Sequence, residues 1–143
     1  MEKLQALYKH FSSQGEAANW IISWKDAVHL YNFIKEKKIK KILDLGTGIG
    51  CSSAVMALAN KDCVIDTIEQ FDKCIDLANK IIPEEFKKQI TIHKSEVEVW
   101  QTPLIPYQYF SVYKNLPEPP EGGWDFICND GPSPILIDGE NFL

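Results

Sequence analysis

The chain has 143 residues, of which 45% are hydrophobic and 24% charged, with a formal net charge of -5 and a sequence pI near 5.2. This length suits one domain spanning residues 1–143, and the composition excludes a disordered or collagen-like chain. The acidic balance gives no support to binding of nucleic acid or a membrane surface, which relies on a basic face. No apolar run approaches the roughly 18 residues that cross a bilayer, and we expect a cytoplasmic protein.

Two helices are predicted at the N-terminus, within residues 1–37. Apolar residues recur at i, i+3, i+4 and i+7 from Leu4 to Phe11, which predicts a short amphipathic helix. Ser23 followed three residues later by Asp26 is typical of a capped helix start. The second helix is therefore predicted to run from this cap to about residue 37.

From residue 41 the pattern changes to alternating strands and helices. Short apolar and β-branched runs predict strands at 42–45, 64–69, 90–93 and 124–128. Helical spacing predicts helices at 51–59 and 74–82, and Pro83 ends the second of these. Strands separated by such helices favour right-handed βαβ units, and hence an α/β fold with a parallel sheet.

Residues 100–123 break this rhythm. The stretch contains five prolines and alternating aromatic residues, which favour an extended, partly strand-like excursion over a crossover helix. Trp20, Trp24, Tyr107, Tyr109 and Tyr113 are candidates for a lid or a substrate wall. Packing against the sheet is the simpler interpretation of each of them.

The most informative segment is residues 42–52, where a strand ends in a glycine-rich turn and a helix begins. Glycine permits positive φ angles and lets backbone approach a ligand where a Cβ would collide. A dinucleotide is one candidate ligand, because G-x-G-x-x-G places a pyrophosphate at a helix N-terminus. The third glycine of that pattern would fall at Cys51, and Asp44 would repel a pyrophosphate.

The same segment resembles the first motif of class I S-adenosylmethionine-dependent methyltransferases. Their acid-x-Gly-x-Gly-x-Gly pattern is matched at Asp44, Gly46, Gly48 and Gly50, with Thr47 inside the turn. The resemblance implies a Rossmann-like parallel sheet with flanking helices and the partial strand order 3-2-1-4, over a core of residues 38–134. It also implies S-adenosyl-L-methionine as cofactor, with the acid facing its methionine part and the glycine backbone beneath it.

Further residues match this family in the same order. Glu69 closes the second strand, nineteen residues after the turn, where the family uses an acid to accept hydrogen bonds from both ribose hydroxyls. By the same resemblance, Gln70 and the pair Ser95 and Glu96 are expected to border the adenosine. Asp130 ends the fourth strand and is the candidate catalytic residue; it would orient the acceptor, act as a base or hold a metal, or else only cap a turn.

The resemblance implies methyl transfer to a small-molecule acceptor, an in-line displacement that depends on alignment. The isolated histidines do not have the spacing of a metal pair, so the sequence predicts no metal site of its own. Three alternatives stay open: a non-catalytic S-adenosylmethionine-binding module, an aminopropyltransferase, and a dinucleotide-dependent oxidoreductase.

The family's sheet has seven strands, and only the first four are identified in this sequence. We therefore expect a truncated domain whose fourth strand is left as an uncovered edge. An edge of that kind associates readily with another strand. A second copy of the chain, or a swapped segment, is expected to cover it, which predicts a homo-oligomer.

Overall fold

The computed structural model describes residues 1–101 and 109–131, so residues 132–134 of the predicted core lie outside it. Within these ranges the strands are β1 (Lys41–Leu45), β2 (Val64–Glu69), β3 (Ile90–Lys94), β4 (Val97–Gln101), β5 (Tyr109–Tyr113) and β6 (Phe126–Asn129). Four of them form a parallel sheet in the order β3-β2-β1-β6. Because β6 is the fourth strand of this sheet, the predicted Rossmann-like α/β fold with strand order 3-2-1-4 is confirmed.

The helices in the described ranges are α1 (Glu2–Ser12), α2 (Trp24–Lys37), α3 (Cys51–Ala59) and α4 (Asp72–Ile81), with 3-10 helices at Gly15–Trp20 and Glu84–Phe86. The two predicted N-terminal helices are confirmed. The N–H of Asp26 donates to Ser23 Oγ at 3.1 Å, which is the cap that the sequence predicts for α2. The 3-10 helix Gly15–Trp20 was not predicted, because it buries no residue and has no apolar periodicity.

The core lies between the sheet and the first three α-helices. Helix α3 is buried from Cys51 to Ala57, because it contacts both N-terminal helices as well as β2 and β3. Its small side chains let these elements approach closely, as the density of a protein interior requires. The largest fully buried side chains include Phe11, Leu4, Ile34, Ile42, Ile49 and Met56.

An antiparallel hairpin of β4 and β5 follows β3, where a crossover helix would be expected in a repeating βαβ pattern. The strand-like prediction for this stretch is confirmed, while residues 102–108, which include Tyr107, lie outside the described residues. The base of the hairpin is fastened to the end of β3. The Lys114 N–H donates to the Glu96 carbonyl at 2.9 Å, and the Lys114 ammonium pairs with the Glu96 carboxylate at 2.9 Å.

Strand β6 begins at Phe126, two residues later than the sequence predicts. The cause is Asp125, whose carboxylate accepts the N–H groups of Lys40 and Lys41 at 3.0 Å each and so anchors the start of β1. Among the described strands β6 pairs only with β1, and Ile127 is 53% exposed. That another copy of the chain covers this edge stays a prediction.

Candidate functional site

The glycine turn connects β1 to α3 and is enclosed by other parts of the chain. Gly46 has φ +104°, and a Cβ there would lie 2.9 Å from the backbone C and O of Asp130. Gly48 has φ +52°, and its Cβ would lie 2.8 Å from the Trp20 carbonyl oxygen. Both glycines are therefore required for contacts within the chain, in addition to the ligand approach that the sequence suggests. The turn is held between the N-terminal segment and the end of β6.

The backbone N–H groups of this turn are already used. Gly46 N and Thr47 N both donate to the Ile68 carbonyl, at 3.1 and 3.0 Å. Gly48 N donates to Glu69 Oε2 at 2.8 Å. A phosphate-binding turn needs free N–H groups pointing at the anion. These three donors point at the end of β2 instead.

The side chain of Thr47 lies in the core. It is 2% exposed, and its hydroxyl forms a hydrogen bond of 2.8 Å with the Thr67 hydroxyl of β2. The sequence predicts Thr47 at the candidate site, but the structure places its side chain in the core. There its hydrogen bond to Thr67 holds the turn against β2.

Glu69 at the end of β2 is 5% exposed and accepts three backbone N–H groups. Its Oε2 accepts from Gly48, and its Oε1 accepts from Gln70 at 2.8 Å and from Phe71 at 3.1 Å. A carboxylate offers about four acceptor positions, so about one stays open on Oε2. The sequence predicts acceptance from two ribose hydroxyls, whereas this arrangement leaves room for one. The Gln70 Oε1 atom is buried without a partner among the described residues.

Asp44 does not face the site in the way that the sequence predicts. Its side chain is fully buried, and Oδ2 accepts from the hydroxyls of Ser52 and Ser53, at 2.8 and 2.6 Å, in the first turn of α3. Oδ1 is buried without a hydrogen-bond partner among the described residues. Burial raises the pKa of the Asp44 carboxyl from 3.8 to about 6, although the Ser53 and Ser52 hydroxyls favour its ionised form.

Ser95 and Glu96 also serve a different purpose from the predicted one. Ser95 is 2% exposed; its hydroxyl donates to the Glu96 carbonyl at 3.0 Å and accepts from Asn115 N at 3.0 Å. The Lys114 ammonium beside Glu96 lowers the pKa of that carboxyl. The structure places neither side chain at the candidate site, because both hold the hairpin to the end of β3.

A cavity of about 380 Å³, which we call the rim cavity, opens at the carboxyl ends of β1, β2 and β6. This volume is within the range of about 300–1,000 Å³ that is typical of small-molecule sites. No lysine, arginine or histidine is among the described residues that line it. Its wall contains two acidic residues, three glycines, three aromatic residues and three others. They are Glu69 and Asp130; Gly46, Gly48 and Gly131; Trp20, Phe71 and Tyr113; and Asn19, Ile21 and Cys74.

The sequence predicts some of these lining residues at a ligand site and misses others. Trp20 and Tyr113 were candidates for a wall or a lid, and the structure places both at the cavity. Trp20 is 52% exposed and Phe71 49%, unusual values for large apolar side chains, and both face this opening. Cys74 was not predicted, because a cysteine in the first turn of a helix carries no signal of a ligand site. Gly131 was not predicted at the site either.

A second cavity of about 700 Å³ lies between α2 and β6. Asp130 and Ile21 line both cavities, so the Asp130 carboxylate stands where the two meet. Burial, and next the charge of Asp26, raise the pKa of Asp130 above its ordinary value of 3.8. The other walls are mostly apolar, with Leu30 and Phe33 from α2 and Phe126 from β6.

Similar solved structures have the same fold. A methyltransferase, PaMTH1, from Podospora anserina bound to SAH has a TM-score of 0.54 and 19% identity, over 66% of this chain and 42% of that one. The O-methyltransferase TomG from Streptomyces achromogenes, in complex with SAM, has a TM-score of 0.53 and 21% identity, over 66% and 43%. A Staphylococcus aureus protein provisionally assigned as a caffeoyl-CoA O-methyltransferase has a TM-score of 0.51 and 25% identity, over 66% and 50%.

The sheet order, the glycine turn and the rim cavity thus define a protein of the Rossmann-like methyltransferase fold. The sequence profile of the protein-L-isoaspartate(D-aspartate) O-methyltransferase family matches residues 12–125. The chain belongs to this family. No curated protein matches its sequence, and the chain spans between 42% and 50% of the length of the three similar structures.

Two features are absent from the described part of the chain. Residues 1–101 and 109–131 contain no group of three histidine, cysteine, aspartate or glutamate side chains arranged to hold a metal ion. Over the same residues, none of the helices has the length and apolar character needed to cross a membrane.

Proposed function

We propose that this chain binds S-adenosyl-L-methionine in the rim cavity and serves the transfer of its methyl group to an oxygen of a small-molecule acceptor. One observation carries the proposal: the cavity presents the carboxylates of Glu69 and Asp130 and no cationic side chain among the described residues that line it. Such a site attracts a cation, and S-adenosylmethionine carries a sulfonium and an ammonium.

The same geometry argues against a dinucleotide. A pyrophosphate would also draw on free N–H groups of the glycine turn, whereas those of Gly46, Thr47 and Gly48 are used within the chain. The first turn of α3 already faces an acid, because the Asp44 carboxylate accepts from hydroxyls there. A second anion at this place would meet the charge of the first.

The residues at the cavity fit the nucleoside part of this cofactor. The open acceptor position on Glu69 Oε2 suits a ribose hydroxyl, and the exposed ring of Phe71 lies two residues further along the chain. The resemblance of the glycine turn to the class I motif supports the same cofactor, as do the relatives crystallised with SAH and SAM. When bound, S-adenosylmethionine supplies a methyl group activated by its sulfonium.

Asp130 is the residue of this chain best placed to act on the acceptor. Its carboxylate stands between the rim cavity and the apolar second cavity, and its raised pKa makes it a better proton acceptor than an ordinary aspartate. It would accept the proton of an acceptor hydroxyl and hold that oxygen in line. The second cavity, at about 700 Å³, has the size of a small-molecule site.

The family match supports a second candidate, an isoaspartyl group of a protein or peptide as acceptor. Release of S-adenosylhomocysteine from S-adenosylmethionine, measured with a panel of hydroxylated aromatic compounds and with an isoaspartyl peptide, separates the two. Turnover with the peptide alone would replace the small-molecule acceptor by a protein one.

Cofactor binding is tested first, by isothermal titration of the chain with S-adenosylmethionine, S-adenosylhomocysteine and NAD. We expect heat from the first two and none from NAD; binding of NAD alone would reject the proposal.

The variant Asp130→Asn is expected to keep its affinity for S-adenosylhomocysteine within about threefold and to lose at least about 100-fold in methyl transfer. Asp76→Asn is the matched control, since Asp76 is exposed on α4, away from both cavities.

A further inference from the structure

We propose that Tyr113 of the hairpin is a cofactor-contacting residue whose phenol O–H donates a hydrogen bond to a ribose or carboxylate oxygen of the bound cofactor. This inference rests on the proposed function, since it assigns a new contact to the same cavity. The sequence predicts Tyr113 only as one of several aromatic candidates for a lid or a substrate wall. The structure places it opposite the glycine turn, on a wall built by the hairpin.

The position of the hydroxyl is defined by two glycines. A Cβ built on Gly131 would lie 2.9 Å from the Tyr113 hydroxyl oxygen and 2.9 Å from the Gly46 Cα. A side chain at Gly131 would therefore fill the gap into which the phenol reaches. The hydroxyl therefore stands at the end of β6 beside the turn, inside the outline of the cavity.

The hydroxyl is available to a ligand. It forms no hydrogen bond with any of the described residues, although the ring is half-buried. Burial raises its pKa well above the ordinary value, and the nearby Glu69, Asp44 and Cys74 raise it further. The phenol thus keeps its proton and stays a donor.

The Tyr113 hydroxyl adds a donor to a cavity whose other side-chain donors, on Asn19 and Trp20, belong to the N-terminal segment. Glu69 and Asp130 offer acceptors, which suit the hydroxyls and the ammonium of the ligand. The N–H groups of Gly46 and Gly48 are used within the chain, so the turn offers no donor from these positions. An acceptor oxygen of the ligand, on its ribose or its carboxylate, is then matched by the Tyr113 hydroxyl.

The attachment of the hairpin explains why Tyr113 holds this position. The two residues that follow Tyr113 are bonded to the connection between β3 and β4: Lys114 N donates to the Glu96 carbonyl at 2.9 Å, and Asn115 N donates to Ser95 Oγ at 3.0 Å. Ser95 and Glu96 therefore act on the site through Tyr113, instead of by direct contact.

The test compares Tyr113→Phe with the wild-type chain by titration with S-adenosylhomocysteine and with methylthioadenosine, which keeps the ribose but lacks the amino acid. We expect the affinity of Tyr113→Phe for S-adenosylhomocysteine to fall about tenfold, as for loss of one hydrogen bond. An equal loss with methylthioadenosine assigns the contact to the nucleoside oxygens. A loss confined to S-adenosylhomocysteine assigns it to the carboxylate.

Urea unfolding without ligand shows whether Tyr113→Phe acts on the ligand contact or on the stability of the fold. Because the hydroxyl bonds to none of the described residues, the stability of unliganded Tyr113→Phe is expected to equal that of the wild type. The control is Tyr31→Phe, whose ring lies under Lys35 on α2 outside the cavity, and which should change neither quantity. Unchanged affinity of Tyr113→Phe, with a wild-type chain that binds, overturns the inference alone. A wild-type chain that binds neither compound overturns the proposed function and this inference with it.

Discussion

Replacing Asp44 with asparagine measures the cost of burying a carboxyl beneath the glycine turn. The side chain is fully buried, and burial raises its pKa from 3.8 to about 6. The unfolded chain keeps an ordinary carboxyl, so between about pH 4 and 6 it releases a proton that the folded chain retains. The wild-type chain therefore loses stability as the pH rises through this range, and the full loss is present above it.

The size of the loss follows from the two pKa values. Their difference of about two pH units corresponds to roughly 3 kcal/mol, at about 1.4 kcal/mol per unit. The amide of Asp44→Asn has no charge to bury, and it can still pair with the hydroxyls of Ser52 and Ser53. Relative to the wild type, the variant is therefore expected to gain up to about 3 kcal/mol of stability between pH 4 and 7.

Urea unfolding at several pH values from about 4 to 8, followed by circular dichroism, measures this difference directly. The control is Asp76→Asn, which makes the same exchange of a carboxyl for an amide at an exposed position on α4. If the difference between Asp44→Asn and the wild type were constant with pH, the carboxyl would not be buried in its charged form, and the reasoning would be refuted.

Two further substitutions test the glycine turn and Glu69, which accepts an N–H group of the turn. Gly48→Ala should cost roughly 2–4 kcal/mol of stability and weaken binding of S-adenosylhomocysteine, because its Cβ would meet the Trp20 carbonyl oxygen at 2.8 Å. The control is Gly15→Ala, where φ is +63° and a Cβ would have nothing within 4 Å. By urea unfolding it should cost only about 1 kcal/mol. Equal costs would show that the contact with Trp20 is unimportant. Glu69→Gln should lose about 1–3 kcal/mol and at least tenfold in affinity by titration, since an amide cannot accept all three N–H groups; wild-type values would remove Glu69 from the site.

The sequence alone determined the elements and their order. Apolar periodicity marked the strands and the principal helices, Ser23 and Asp26 marked the start of α2, and the glycine turn after β1 marked where a ligand would lie. These are local properties, because helix caps, turn chemistry and periodicity depend on residues a few positions apart. Glu69 was predicted from the family resemblance, and it lies at the rim because parallel strands present their carboxyl ends on one side of the sheet.

Only the tertiary structure decided which side chains share the cavity. Asp44 accepts from the Ser52 and Ser53 hydroxyls of α3, and Glu96 pairs with Lys114, because the packing of α3 and of the hairpin brings these partners next to the two carboxylates. Tyr113 reaches the rim through a hairpin that stands where a crossover helix would be expected, and it lines the same cavity as Gly46, 67 positions earlier in the chain. Contacts over such separations are set by the packing of whole elements, and no local pattern of residues encodes them.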